Sequence, residues 1–236
     1  MSEPNALSQT LALVSPIHKD GYKFVAAAVG LTIVAFLISS FLGLAGVIAT
    51  LALAFFFRDP PRTIPVRDGL AVAPADGTIV AIRNAVTPAG LGLGSEARTC
   101  VSIFLSLLDV HAIRSPVSGR IQASFYRRGE HRNAASPQAP EGNECHGFAI
   151  ETKDALRVGA VLVAGTVARR IVTAAGEGDS VVAGERIGII RFGSRVDVYL
   201  PSSQGLLVEE GQRTIAGETI IADFDSSEPR RIFRRI

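Results

Sequence analysis

The residue pair with the most chemistry to offer is Gly193-Ser194, which interrupts two strand-like runs between positions 187 and 201. Glycine tolerates strained dihedrals and leaves its carbonyl open, and a serine hydroxyl one residue later can attack that carbonyl through a five-membered ring. The peptide then becomes an ester. Elimination across the serine Cα–Cβ bond would release the upstream chain and leave dehydroalanine, which hydrolyses to a pyruvoyl group. The same dipeptide is also an ordinary turn, and Gly94-Ser95 is a second instance.

A serine hydroxyl is a poor nucleophile while it holds its proton, so the cut needs a base and a group to orient that base. His111, just after an apolar run in Leu107-Leu108-Asp109-Val110-His111, offers an imidazole. Asp76, in the turn Pro74-Ala75-Asp76-Gly77 before a strand, offers a carboxylate. An imidazole accepts a proton near neutral pH and a carboxylate can hold and stabilise it. His18, His131 and His146 stand in no such setting and are taken as non-catalytic.

What must position these residues is a β-domain. Beyond Pro65 the sequence turns to short β-branched runs divided by Gly and Pro, at 78–82, 99–106, 120–126, 147–152, 155–172, 186–191 and 195–200. In the last of these polar and apolar residues alternate, as in a strand with one buried face. Two internal echoes stand out: residues 73–79 resemble 115–121, and residues 182–187 resemble 215–220, each with a glycine at a turn before a strand. The phrases resemble the biotinyl/lipoyl carriers, implying a flattened barrel with added strands. A carrier needs a lysine at a hairpin tip, and Lys19, Lys23 and Lys153 have no such setting.

Ahead of this domain lies sequence suited to lipid. Of 236 residues 47% are hydrophobic and 19% charged, yet only Glu3, Lys19, Asp20 and Lys23 carry charge before position 58. The uncharged run from Phe24 to Phe57 would extend about 50 Å as one helix, well past a hydrocarbon core of about 30 Å. A break at Ser39-Ser40 or at 43–46 gives a membrane helical hairpin, and the run is too long and begins too late for a cleaved signal peptide. Lys19 and Lys23 before it, and Arg58, Arg62 and Arg67 after it, favour both ends on the cytoplasmic side. A net charge of +2 without a basic, aromatic-laced stripe excludes nucleic acid as a partner. Cys100 and Cys145 lie far apart with no CxxC or Cys/His cluster, so neither a disulfide framework nor a metal site is expected.

Taken together, the Phe192-Gly193-Ser194-Arg195 junction, the Pro74-Ala75-Asp76-Gly77 turn, Asp109-Val110-His111, Gly142-Asn143-Glu144 and the membrane exit Arg58-Asp59-Pro60-Pro61-Arg62 resemble the shorter bacterial branch of the phosphatidylserine decarboxylases, over residues 55–225. The resemblance implies decarboxylation of phosphatidylserine to phosphatidylethanolamine, with Ser194 becoming a covalent pyruvoyl cofactor that takes the substrate amine as a Schiff base. It implies cleavage at Gly193-Ser194, driven by Asp76 and His111, into a β chain of residues 1–193 and an α chain of residues 194–236 that stay together as a heterodimer. His111 is also the candidate proton donor in turnover, so it serves self-cleavage, decarboxylation or both. Longer relatives carry two histidines three residues apart, whereas here Arg114 stands at the second place.

The same resemblance selects Gly193-Ser194 over Gly94-Ser95, which lies in a glycine-rich loop. The expected organisation is a tail at 1–23, a membrane segment at 24–57 and a decarboxylase domain at 58–236, on the cytoplasmic face of the inner membrane. The partners are the phosphatidylserine substrate and membrane lipid; the basic tail at 230–236 is either a further contact with anionic lipid or a solvated tail, and the loop at 127–142 is read as a mobile lip. The competing readings are a non-enzymatic membrane-anchored adaptor on the same barrel, and a pyruvoyl decarboxylase of another serine-headed lipid.

Overall fold

A computed structural model of the chain describes residues 16–130, 132, 134, 142–166, 170–191, 194–201, 205–228, 231 and 233. Gly193, His131, most of the basic tail and most of the expected lip lie outside the described residues. The chain divides into two compact units, one ending at Pro61 and one beginning at Arg62.

The first unit holds two apolar helices, α1 (Tyr22–Ile38) and α2 (Ser40–Phe56). Ser39 breaks the run: its backbone is extended, at φ −162 and ψ 136, and its hydroxyl caps α2 by accepting from the Phe41 N–H. Small residues let the helices approach, since the Phe36 ring lies against Gly43 and Thr32 against Gly46. The Thr32 and Thr50 hydroxyls meet at 3.0 Å. No side chain of α1 is buried, and Leu37 is 83% exposed. The stretch Lys19–Ile38 is long and apolar enough to cross a membrane.

The second unit is mainly β. Its strands are β1 (Leu70–Val72), β2 (Gly77–Val86), β3 (Ala97–Leu105), β4 (Ala112–Arg114), β5 (Gly119–Arg127), β6 (Cys145–Glu151), β7 (Arg157–Ala164), β8 (Arg170–Thr173), β9 (Ser180–Val181), β10 (Arg186–Arg191), β11 (Ser194–Leu200), β12 (Arg213–Thr214) and β13 (Ile220–Asp223). Eight of them form a curled half-barrel sheet in the order β12-β2-β3-β11-β7-β6-β5-β9, with β4-β10-β8 and β1-β13 as smaller sheets. The sequence run at 155–172 therefore divides: β7 enters the large sheet and β8 a small one.

The two sequence echoes are built as two matching halves. Gly217 N donates to Ala73 O just as Gly184 N donates to Ser115 O, both at 2.8 Å. Gly211 N reaches Ile79 O as Gly178 N reaches Ile121 O. A Cβ on Gly77 would lie 2.3 Å from Phe104 O, and one on Gly119 would lie 2.2 Å from Glu151 O, so each half needs its glycine for β2 to approach β3 and β5 to approach β6. The large sheet is symmetric about the β11–β7 contact, with β2 and β3 matching β5 and β6. The halves differ in their connections: β6 turns directly into β7, whereas β3 leaves for β4 and β11 is entered from β10.

Alternation along the strands gives the large sheet two apolar faces. The main core gathers Ile79, Ile103, Leu105, Phe148, Leu162, Val196 and Val198, and the opposite face gathers Cys100, Cys145, Val161, Val163 and Tyr199 under Leu91 and Leu93. Both cysteines are free and buried, and burial with Asp197 nearby pushes the Cys100 thiol up to about 12.

Candidate active site

Ser194 opens β11, the strand held between β3 and β7, and pairs with Leu105 on one side and Ala164 on the other. Leu105 and Ala164 belong to the main core, and so do Val196 and Val198, which share the Ser194 face of the strand. The serine hydroxyl therefore points into apolar surroundings. It is fully buried and Ser194 Oγ has no hydrogen-bond partner among the described residues. A buried unsatisfied hydroxyl costs about 1–3 kcal/mol, so such a group calls for a reason beyond packing.

His111 reaches the same place by way of the β3–β4 connection. Leu105 ends β3 opposite Ser194, the chain turns at residues 106–109, and His111 O accepts from Ile190 N next to the end of β10. The two connections, β3 to β4 and β10 to β11, thus bridge the same pair of sheets. His111 is fully buried with Nδ1 at 2.9 Å from Asp109 O. A carbonyl only accepts, so Nδ1 carries a proton, and Nε2 is the nitrogen that bears the lone pair whenever the ring is neutral.

Asp76 enters from the third side. Pro74 O accepts from Arg114 N at 2.8 Å, so the segment carrying Asp76 runs alongside the one carrying His111, and Thr78 pairs with Phe104 next to Leu105. The Asp76 carboxylate accepts from Arg62 Nη2 at 2.9 and 2.8 Å and from Ala216 N at 2.8 Å. The three sequence-chosen residues are thus carried by neighbouring segments at one end of the large sheet.

Four supports had no assigned role in the sequence reading. Arg62, in the membrane-exit motif, is the cation on Asp76. Asp109 orients the imidazole through its carbonyl while its own carboxylate binds Ser106 N, Ser106 Oγ and Arg213. Burial would raise the Asp109 pKa, but the hydrogen bonds from Arg213 and Ser106 outweigh it and hold the group below the usual carboxylate range. Asn143 and Glu144 fasten the residue facing Ser194: Asn143 Nδ2 donates to Ala164 O at 2.7 Å, and Ala164 N donates to Glu144 O at 2.9 Å. Finally, Arg195 Nε meets Asp197 Oδ1 at 2.6 Å and Arg195 Nη2 meets Ser102 Oγ at 2.9 Å, an ion pair sealed on the far face of β11. Alternation of charge at 195 and 197 was the available signal for that pair. His146, set aside from the sequence, stacks on Phe148 and contacts Ser124 Oγ at 3.0 Å, and burial lowers its pKa. Among the described residues no His/Cys/Asp/Glu group is arranged to hold a metal ion.

The class of protein comes from the family profile described as Phosphatidylserine decarboxylase, which matches residues 50–222. The Phosphatidylserine decarboxylase proenzyme of Xanthobacter autotrophicus is 49% identical over 221 residues, covering 94% of each chain. That of Nitrobacter winogradskyi is 48% identical over 219 residues, covering 93% of this chain and 89% of its own. That of Cereibacter sphaeroides is 45% identical over 226 residues, covering 96% and 97%. The chain belongs to the phosphatidylserine decarboxylase family, which favours an enzyme over the adaptor reading.

Proposed function

We propose that this phosphatidylserine decarboxylase cuts itself at Gly193-Ser194 and makes its cofactor, a pyruvoyl group, from Ser194. The overall reaction is conversion of phosphatidylserine to phosphatidylethanolamine and carbon dioxide. The observation that carries the self-cleavage is the buried, unpartnered Ser194 hydroxyl at the head of the strand between β3 and β7. Among the described residues the hydroxyl makes no hydrogen bond that would hold it back, and its burial keeps water, the rival nucleophile, away until the chain is cut.

Processing begins when Ser194 Oγ bonds to the Gly193 carbonyl carbon and gives its proton to His111 Nε2. The C–N bond then breaks, moving the acyl group from nitrogen to oxygen. His111 returns that proton to the departing Ser194 nitrogen and, free again, takes the Ser194 Cα proton as the Gly193 carboxylate is expelled; one water, admitted once the chain is cut, then hydrolyses the dehydroalanine to the pyruvoyl group and ammonia. Asp76, fixed by Arg62 and the Ala216 N–H, is assigned the carboxylate role in this step, its negative charge favouring the imidazolium that forms. When present, the pyruvoyl group supplies the electron sink for loss of carbon dioxide. His111 then holds the proton for the substrate carbon, and Leu105 and Ala164 exclude water.

The cut does not release the α chain. Its strands β11, β12 and β13 pair with β3 and β7, β2, and β1, all on the β-chain side of the junction, so a heterodimer persists through the sheets. We read the doubled turn-and-strand pattern as a biotinyl/lipoyl-like barrel with added strands. The 17-residue helices α1 and α2 act as a short membrane hairpin, holding residues 58–236 on the cytoplasmic face of the inner membrane. Intact-mass analysis tests the reading: active protein should contain a 194–236 fragment whose first residue is pyruvoyl, and Ser194→Ala should stay one inactive chain. Active protein with an intact chain and a free Ser194 would overturn it.

A further inference from the structure

We propose that the turn at residues 106–109 is the decarboxylase domain's own contact with the lipid surface, with Leu107 and Leu108 dipping to the level of the acyl chains. Leu107 is 51% exposed and Leu108 72%, and they are the only two consecutive large apolar residues exposed in the second unit among the described residues. They occupy the centre of a turn closed by Asp109 N donating to Ser106 O at 3.0 Å and by Asp109 Oδ2 accepting from Ser106 N at 2.8 Å. A turn locked in this way presents its two central side chains outward.

Its position gives the exposure a purpose. The turn starts one residue after Leu105, the partner of Ser194, and ends two residues before His111. At about 3.3 Å per extended residue, the apolar tip lies within about 10 Å of Leu105, the strand partner of Ser194. A diacyl substrate must bring its head group to that strand end while its tails stay in hydrocarbon. The turn also carries a cation: Arg213, whose side chain is 61% exposed, is bound to Asp109. Two apolar anchors beside an exposed, ion-paired guanidinium suit the interface of a lipid bilayer, where burial of the leucines supplies most of the attraction. The inference rests on Ser194 being the reactive residue, and its test reads lipid contact separately from cleavage.

The protein contains no tryptophan, so Leu108→Trp places a single reporter at the tip. The full chain would be reconstituted in vesicles of phosphatidylcholine and phosphatidylglycerol, with and without acyl-brominated phosphatidylcholine, alongside a Val86→Trp control. The expected result is blue-shifted emission from Leu108→Trp, quenched about twofold or more by bromolipid, with Val86→Trp little affected. Emission typical of water, or quenching equal to the control, overturns the proposal. A gel of the same samples reports cleavage independently. In a second arm, Leu107→Ser/Leu108→Ser should lower the ratio of turnover on bilayer phosphatidylserine to turnover on a short-chain, monomeric phosphatidylserine by about tenfold. An unchanged ratio, including an equal fall in both activities, counts against it.

Discussion

Breaking the Arg195–Asp197 pair from one side should cost the fold far more than removing both charges together. Arg195 is 1% exposed and Asp197 0%, with Nε–Oδ1 at 2.6 Å, Nη2–Oδ2 at 3.0 Å and Ser102 Oγ completing the set. Arg195→Met leaves a carboxylate without its cation, and Asp197→Leu strands a guanidinium in the same place. Either change should cost about 3–5 kcal/mol. For a domain of this size each kcal/mol moves the Tm by about 2–4 °C, so each single variant should melt about 6–20 °C lower. The double variant should fall within about 1 kcal/mol of the parent, because two apolar side chains replace two costly desolvations. The measurement is thermal unfolding by circular dichroism of the full chain in a Ser194→Ala background, so that every sample is one covalent chain. Additive losses in the double variant, or single losses below about 1 kcal/mol, would refute the reasoning. With Ser194 restored, the single variants should also slow self-cleavage, because the pair holds the residues immediately after the scissile bond.

Two further outcomes follow from the site's surroundings. Asp109 is held below the usual carboxylate range in the fold, so its stabilisation is present above the unfolded pKa and is lost as pH falls through the lower folded value; the Tm gap between the parent and Asp109→Asn should therefore narrow between pH 6 and 3, and a constant gap would contradict the assignment. Gly77→Ala and Gly119→Ala place a methyl 2.3 Å from Phe104 O and 2.2 Å from Glu151 O respectively, and each should cost about 1–3 kcal/mol. Only Gly77→Ala, in the half that holds Ser194, should also slow chain cleavage on a gel; equal slowing by both would show that general destabilisation is responsible.

Local patterns carried much of the fold. The alternation at 195–200 became β11, the break expected near Ser39 is where the backbone turns extended, and the repeated Gly phrases became matching halves of one sheet. The run at 155–172 was misleading as a single element, because a continuous apolar stretch does not say which sheet each end joins; β7 pairs with β6 and β11, and β8 with β10. At the site, chemistry-bearing types in distinctive phrases pointed to Ser194, His111 and Asp76. Their supports could not be read the same way, since Arg62 acts from a membrane-exit motif and Asp109 uses a backbone carbonyl that every residue possesses.

By itself the sequence determined which groups are available to react and which segment is apolar enough to suit lipid, because both depend on side-chain type and on short-range periodicity. It also held the two repeated glycine phrases, which only the sheet pairing turned into two matching halves. Only the tertiary structure decided that the Ser194 hydroxyl is buried without a hydrogen-bond partner among the described residues, and that Asp76 is held by a cation from outside the domain's strands. Desolvation and strand register arise from residues distant in the chain, and no local window contains them.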